Sequence, residues 1–181
     1  GGLIFNATTI TLPKILGERL LGILGTTSQI GMMTAVIFAL AAFAQIAVGE
    51  MLDRYPTKRL YLSLVAGQCL LCALAIPAAG WSALAVSLPL MLATFGIIPM
   101  NDWIVAHYIS KEFRSRVYAV KSVLSLGVGA IAVQVSGRLH EATGDFDALF
   151  MLLTAAAAIV AAGTVLMLPT KREAEAALAG A

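Results

Sequence analysis

The sequence predicts an all-α membrane protein with six transmembrane helices, the first of them truncated. The chain is 60% hydrophobic and 12% charged, whereas soluble domains carry about 25% charged residues. Its mean hydropathy of +0.90 indicates more apolar surface than a chain of this length can bury, so lipid is the expected solvent. In hydrocarbon a helix satisfies its own backbone hydrogen bonds, which favours helical spans.

The first apolar run is too short to cross a membrane by itself. It begins at Gly1 without an initiator Met and ends before Pro13 and Lys14, whereas a spanning helix needs roughly 20 residues. We therefore expect a fragment whose first span has lost its upstream half, followed by a mixed loop over 14–29.

Charged and turn-forming residues bound each later span. The charged segment 49–60 separates the second span from the third, the basic turn 110–116 separates the fourth from the fifth, and Pro169 stops the sixth. We predict a six-helix bundle over 1–169 and a polar cytoplasmic tail over 170–181. The predicted spans are 1–13, 30–52, 60–79, 82–109, 117–140 and 148–168.

Basic residues are unevenly divided between the two sets of alternate connections. One set holds three of them, Lys14, Arg19 and Arg138. The other set, including the tail, holds eight: Arg54, Lys58, Arg59, Lys111, Arg114, Arg116, Lys171 and Arg172. Because cytoplasmic connections carry the excess of Lys and Arg, we expect a cytoplasmic carboxyl terminus and a position in the plasma membrane, of the bacterial inner-membrane kind.

A short pattern recurs at the ends of the second and fifth spans. "GEMLDRYP" and "GRLHEATG" both place Gly, an acid and a turn former at the same spacing, 88 residues apart. Because these two spans run in opposite directions, the pattern favours two inverted three-helix repeats. The competing explanation is that Gly and acids are common at helix ends.

The segment "GEMLDRYPTKRL" resembles the signature loop of the major facilitator superfamily, commonly Gly-x-x-x-Asp-(Arg/Lys)-x-Gly-x-(Arg/Lys). Gly49, Asp53, Arg54 and Lys58 match it, and Pro56 stands where Gly is usual. "GLIFNATTITLP" and the long segment from "NDWIVAHY" to "GDFDALF" also resemble the second half of such permeases. The resemblance implies one half of a twelve-helix fold and secondary transport by alternating access.

The resemblance also implies that the signature loop acts as a conformational latch on the cytoplasmic side. Gly49 would let the second span approach a neighbouring backbone closely, and Asp53 would accept hydrogen bonds from a helix amino terminus. Arg54 and Lys58 would pair with acids or anionic lipid, and Arg114 belongs to the second cytoplasmic turn. The alternative is a solvated loop that serves only to orient the protein.

Two ionisable residues, Asp102 and Lys121, lie inside predicted spans at similar depths from the cytoplasmic side. Intramembrane charges are expensive and mark functional sites, so we expect the two side chains to form a buried pair. One role is proton coupling, since a desolvated carboxyl group is more easily protonated. A static pair or a snorkelling Lys is the alternative.

Amides and hydroxyls within the spans are candidates for lining a solute cavity. These residues are Asn6, Thr9, Gln45, Asn101 and Gln134. Hydrogen bonding between helices is the competing explanation for such side chains. Ser125 and Gly129 form a small-xxx-small pair, which indicates close helix packing.

The most favoured function is that of a secondary transporter moving a small organic solute, with a channel or a non-transporting membrane scaffold as the alternative. The sequence lacks H-E-x-x-H, G-x-S-x-G and G-x-x-x-x-G-K-[ST] motifs, so we expect neither a membrane enzyme nor a nucleotide-driven pump. The expected partners are a missing amino-terminal six-helix half of the same polypeptide, membrane lipid and the solute. No metal, other cofactor or nucleic acid is expected.

Overall fold

The computed structural model describes residues 2–20, 23 and 26–167, and this part of the chain is a bundle of six α-helices without strands. Helices α2 to α6 are each long and apolar enough to cross a membrane. The predicted tail over 170–181 lies outside the described residues. The helices are α1 (Gly2–Arg19), α2 (Thr27–Arg54), α3 (Thr57–Ala75), α4 (Trp81–Tyr108), α5 (Lys111–Thr143) and α6 (Asp147–Met167).

The boundary predicted at Pro13 differs from the structure, in which α1 continues through Pro13 to Arg19. Proline lacks the N–H that would bond to the carbonyl of Thr9, which normally weakens a helix at this point. Here Ile15 and Leu16 are buried in the core of the bundle. Burial of apolar side chains, about 1.5–3 kcal/mol each, offsets the loss and keeps the last turns helical.

Helix α5 also begins earlier than predicted. Residues 111–116, expected in a cytoplasmic turn, form its first turns, and Glu112 lies where a negative charge suits the helix dipole. Helices α2, α4 and α6 end at the same side of the bundle, which we call the basic end because it carries segments 54–59 and 111–116. The other side is the opposite end.

The pairing of α2 with α4, and of the corresponding helix α5 with α1, agrees with two inverted triplets. Helix α3 lies against both α4 and α6, whereas the corresponding helix α6 makes little contact with α1. A Cβ atom placed on Gly96 of α4 would lie 3.0 Å from Cγ2 of Val48 on α2. On Gly129 of α5 it would lie 3.1 Å from Oδ1 of Asn6 on α1. Glycine therefore permits the close approach in both helix pairs.

The close approach expected at Gly49 is not made within the described part of the chain. A Cβ atom placed there would meet no atom of a neighbouring helix within 4 Å. Gly49 lies on a side of α2 that this bundle leaves open, so it takes no part in packing α2 against the described helices.

Candidate functional site

An open cavity of about 780 Å³ lies among helices α1, α3, α4 and α5. Small-molecule sites in proteins commonly occupy about 300–1,000 Å³, so this cavity has the size of a ligand site. Most of its wall is apolar, including Phe5, Ile97, Ile104, Val120 and Leu124. The cavity can therefore hold the apolar body of a small molecule.

Two polar side chains in the wall are joined by a hydrogen bond. Gln68 Nε2 donates a hydrogen bond of 2.9 Å to Thr94 Oγ1, and both residues are 2% exposed. Thr94 in turn donates to the carbonyl oxygen of Leu90. This bond joins α3 to α4 across the buried side of the cavity. Sequence reasoning missed Gln68, although it is an amide inside a span on the same grounds as Gln45 and Gln134.

Asn101 lies in the wall of the cavity, as the sequence predicts for a cavity-lining residue. Its Oδ1 accepts a hydrogen bond of 3.2 Å from the hydroxyl of Tyr61 on α3. The bond fixes the orientation of the amide group. The amide nitrogen has no hydrogen-bond partner among the described residues, so it is left to donate.

The structure joins Asp102 of α4 and Lys121 of α5 in an ion pair. The pair is not buried as expected, because the Asp102 side chain is 46% exposed and the Lys121 side chain 38%. Lys121 belongs to the wall of the cavity, whereas Asp102 does not. The Tyr118 hydroxyl donates to the backbone oxygen of Asp102 at 3.1 Å, and the Lys121 ammonium lies 5.6 Å from the Tyr118 ring. Tyr118 thus holds α5 against α4 at the pair.

Asn6 connects helices and does not line this cavity. Its Nδ2 donates to the carbonyl oxygen of Gly2 at 2.8 Å and to that of Ser125 on α5 at 3.4 Å. Together with the close approach at Gly129, this contact places Ser125 and Gly129 at the interface between α1 and α5. Ser125 also contributes to the cavity wall.

The other predicted lining residues lie outside the wall of this cavity. The Thr9 hydroxyl oxygen is buried without a hydrogen-bond partner in the described part of the chain. Gln45 is partly exposed on α2, and Gln134 is exposed on α5. Which face of a helix looks into a cavity depends on tertiary packing, so the presence of an amide in a span did not identify it.

The five predicted latch residues do not come together in this bundle. Arg54 pairs with Glu50 one turn earlier in α2, at 2.5 Å. Asp53 is exposed and has no hydrogen-bond or ion-pair partner among the residues that the structure describes. Its carboxylate is therefore free to accept hydrogen bonds from outside this bundle.

The two remaining bases of the predicted latch close the ends of neighbouring helices. Lys58 donates to the backbone oxygen of Val165 near the end of α6, at 2.9 Å. Arg114 donates to the backbone oxygen of Ala106 at the end of α4, at 2.5 Å. The last four carbonyls of a helix lack intrahelical donors, and a cation there also suits the helix dipole. Both residues thus stabilise the basic end from within.

Comparison with protein families assigns the chain to a family. The family model of the Major Facilitator Superfamily matches residues 2–181. The chain belongs to this superfamily. A search of curated proteins and a search of solved structures found no match.

Membership makes the chain part of a transporter of the major facilitator superfamily and a multi-pass integral membrane protein. The superfamily is a family of transporters and not a class of enzymes. Six helices in 181 residues are consistent with a half-length piece of such a permease.

At the opposite end of this superfamily member, Arg19 joins three parts of the bundle, which sequence reasoning did not foresee. Its guanidinium donates to the backbone oxygens of Ala75, Ile76 and Ala78 at and just after the end of α3, and to the Asp147 carboxylate on α6 at 2.9 Å. The side chain is 12% exposed. Burial lowers the pKa of Arg19, and the nearby Asp147 charge opposes that shift; an arginine remains charged in proteins.

A second contact at the opposite end joins α1 to α5. Nε2 of His140 lies 3.1 Å from the Glu18 carboxylate, and Nδ1 lies 3.3 Å from the backbone oxygen of Asp145. The imidazole ring also stacks on Phe146, with centroids 4.5 Å apart. Both ring nitrogens thus face acceptors, and a protonated imidazole can donate to both. The sequence feature that could have indicated this contact is the mixture of acids and bases at the ends of three helices.

Proposed function

We propose that the chain is the carboxyl-terminal half of a proton-coupled secondary transporter that moves a small organic solute. The observation that carries the proposal is the open 780 Å³ cavity with an accessible ion pair at its wall. An amino-terminal half of the same polypeptide would face this cavity, so that the solute binds between two bundles that rock in alternating access.

Coupling would act through Asp102. In the structure its carboxylate neutralises Lys121. A proton taken up by Asp102 removes the negative charge, weakens the pair and leaves Lys121 to the cavity. If the two transport states differ in whether the pair is made, protonation shifts the equilibrium between them. The Tyr118 contacts keep the two helices aligned while the charges exchange.

The basic end would face the cytoplasm. Eight basic residues lie on that set of connections, tail included, and three on the other, and such an excess orients membrane proteins with the basic side inward. The carboxyl terminus is then cytoplasmic, in a plasma membrane of the bacterial inner-membrane kind. In this orientation the free Asp53 carboxylate is available to a helix amino terminus of the other half, as a latch requires.

The test is solute-driven proton movement by the complete polypeptide in proteoliposomes with a pH dye trapped inside. A panel of small organic acids, amines and neutral solutes is added outside. We expect at least one solute to drive saturable proton movement, and Asp102→Asn to reduce it strongly, because an amide cannot take up the proton that a carboxylate accepts.

Glu112→Gln is the matched control, because Glu112 is an exposed acid at the basic end without a partner in the described part of the chain. This variant should keep the wild-type proton movement. If Asp102→Asn leaves the pH dependence of transport unchanged, Asp102 is not the coupling group. Flux that never saturates would indicate a channel in place of a transporter.

A further inference from the structure

We infer that the cavity selects organic monoanions, in which an apolar body carries one carboxylate that binds at Lys121, Asn101 and Ser125. The inference deepens the proposed function and rests on it, since it names the class of solute for the same cavity. The solute carboxylate pairs with Lys121 from the cavity side and replaces Asp102 as the partner of the ammonium group.

The charge of the cavity wall carries the first step. Lys121 is the charged residue among the described residues of the wall, and no carboxylate side chain lies in this wall. Asp102 contacts Lys121 from outside the wall. A cationic solute in the cavity would therefore meet an ammonium group, whereas an anionic solute would meet an attractive charge.

The neutral polar groups of the wall carry the second step. The Asn101 carbonyl oxygen is occupied by the Tyr61 hydroxyl, which leaves the amide nitrogen as a donor. The Ser125 carbonyl oxygen is occupied by Asn6, and its hydroxyl has no hydrogen-bond partner in the described chain. Asn101 and Ser125 thus each offer a hydrogen-bond donor to the cavity, which a carboxylate, an acceptor when ionised, can satisfy.

The apolar wall carries the third step. Phe5, Ile97, Val120 and Leu124 offer no polar partner to the rest of the solute, and the Gln68–Thr94 bond occupies the Thr94 hydroxyl and one N–H of Gln68. Burial of hydrocarbon against such a wall stabilises the bound solute. The solute body is therefore expected to be apolar and not a polyhydroxylated sugar.

The exposure of the ion pair carries the last step. Ion pairs between accessible side chains are weak, so a second carboxylate can displace Asp102 without breaking a strong interaction. The step is a charge exchange in which Lys121 keeps its proton and the released Asp102 carboxylate becomes available for protonation. Tyr118 holds the Lys121 side chain near the same place during the exchange.

The experiment measures binding of three eight-carbon probes to the purified complete polypeptide in detergent at neutral pH. The probes are octanoate, octanamide and octylammonium, which share the apolar body and differ in head-group charge. Isothermal titration should give octanoate an affinity at least tenfold above that of octanamide, and octylammonium the weakest binding.

Variants at the pair separate charge from shape. Lys121→Gln should remove the preference for octanoate over octanamide, and Lys121→Arg should retain it. Asp102→Asn should tighten octanoate binding several-fold, because the competing carboxylate is gone. Lys111→Gln is the control, since Lys111 is an exposed lysine of the same helix outside the cavity wall, and it should leave all three affinities unchanged.

The inference is overturned if octylammonium or octanamide binds as well as octanoate, or if folded Lys121→Gln protein keeps the preference for octanoate. Its failure differs from that of the proposed function. Saturable proton-coupled flux of solutes regardless of their charge would overturn the anion site and leave transport intact. A preference for octanoate in binding without saturable flux would support the anion site and overturn the transport proposal.

Discussion

The ammonium group of Lys58 on α3 lies 2.9 Å from the backbone oxygen of Val165 and closes the end of α6. Cations at such helix ends typically contribute about 0.3–1 kcal/mol when exposed to solvent. We therefore expect Lys58→Ala to lower the free energy of unfolding by roughly 0.5 kcal/mol, measured by denaturant titration in detergent. Lys111→Ala, at the amino end of α5, should cause no loss. Equal losses in the two variants would show that the contact does not cap α6.

The buried hydrogen bond between Gln68 and Thr94 should couple α3 to α4 energetically. Hydrogen bonds between membrane helices average about 0.6 kcal/mol, with values up to about 1.7. A double-mutant cycle with Gln68→Leu and Thr94→Val should therefore give a coupling energy of about 1 kcal/mol in the free energy of unfolding. Additive single effects would mean that the two side chains act independently.

Substitution by alanine should have different effects on stability at two glycines of α5. A Cβ atom at Gly129 would press on Asn6, whereas at Gly127 it would meet nothing within 4 Å. Gly129→Ala should cost about 1 kcal/mol through overpacking and weaken the contact between Asn6 and Ser125. Gly127→Ala should be neutral or stabilise by up to about 1 kcal/mol, because alanine favours helix. Thermal unfolding of both variants in one detergent is the measurement, and matching shifts would contradict the predicted contact.

Arg19 should be the most sensitive charged position at the opposite end. Arg19→Ala leaves several carbonyls and the Asp147 carboxylate without their donor, and removal of one partner from a buried pair commonly costs about 3–5 kcal/mol. Since Asp147 is partly exposed, about 2–4 kcal/mol is expected here. Arg19→Lys should recover part of the loss, because an ammonium cannot reproduce the planar fork.

Arg138→Ala is the control for Arg19, since Arg138 is an exposed arginine near the same end with no partner in the described residues. Its effect on the free energy of unfolding should stay within about 0.5 kcal/mol. A loss as large as that of Arg19→Ala would indicate a general effect of positive charge at this end.

The sequence was sufficient for the number of helices and their order, and for the limits of α4 and α6 to within one residue. Apolar runs of membrane length between charged turns leave little choice of structure in lipid. Pro13 was misleading because local propensity disfavours a helix there, whereas the burial of Ile15 and Leu16 keeps α1 continuous. That burial depends on neighbouring helices and cannot be seen in a local pattern.

The ion pair between Asp102 and Lys121 was accessible to sequence reasoning because charges at one depth in neighbouring spans have few other partners. The contacts of Arg19 and His140 could not be predicted from the sequence. Their partners lie far away in the sequence, and charges near helix ends are explained equally well by membrane orientation. Rotation of each helix about its axis decides which amides face the cavity, so Asn101 and Gln45 could not be distinguished beforehand.

The contacts of Arg19 have a consequence for how the chain is made in the cell. Its partners follow α3 and begin α6, as far on as Asp147. During synthesis α1 enters the membrane while the carboxylate that Arg19 needs has yet to be translated. Helix α1 therefore lacks this contact with α6 until α6 has been synthesised. A nascent chain that stops before residue 147 lacks the carboxylate partner of Arg19.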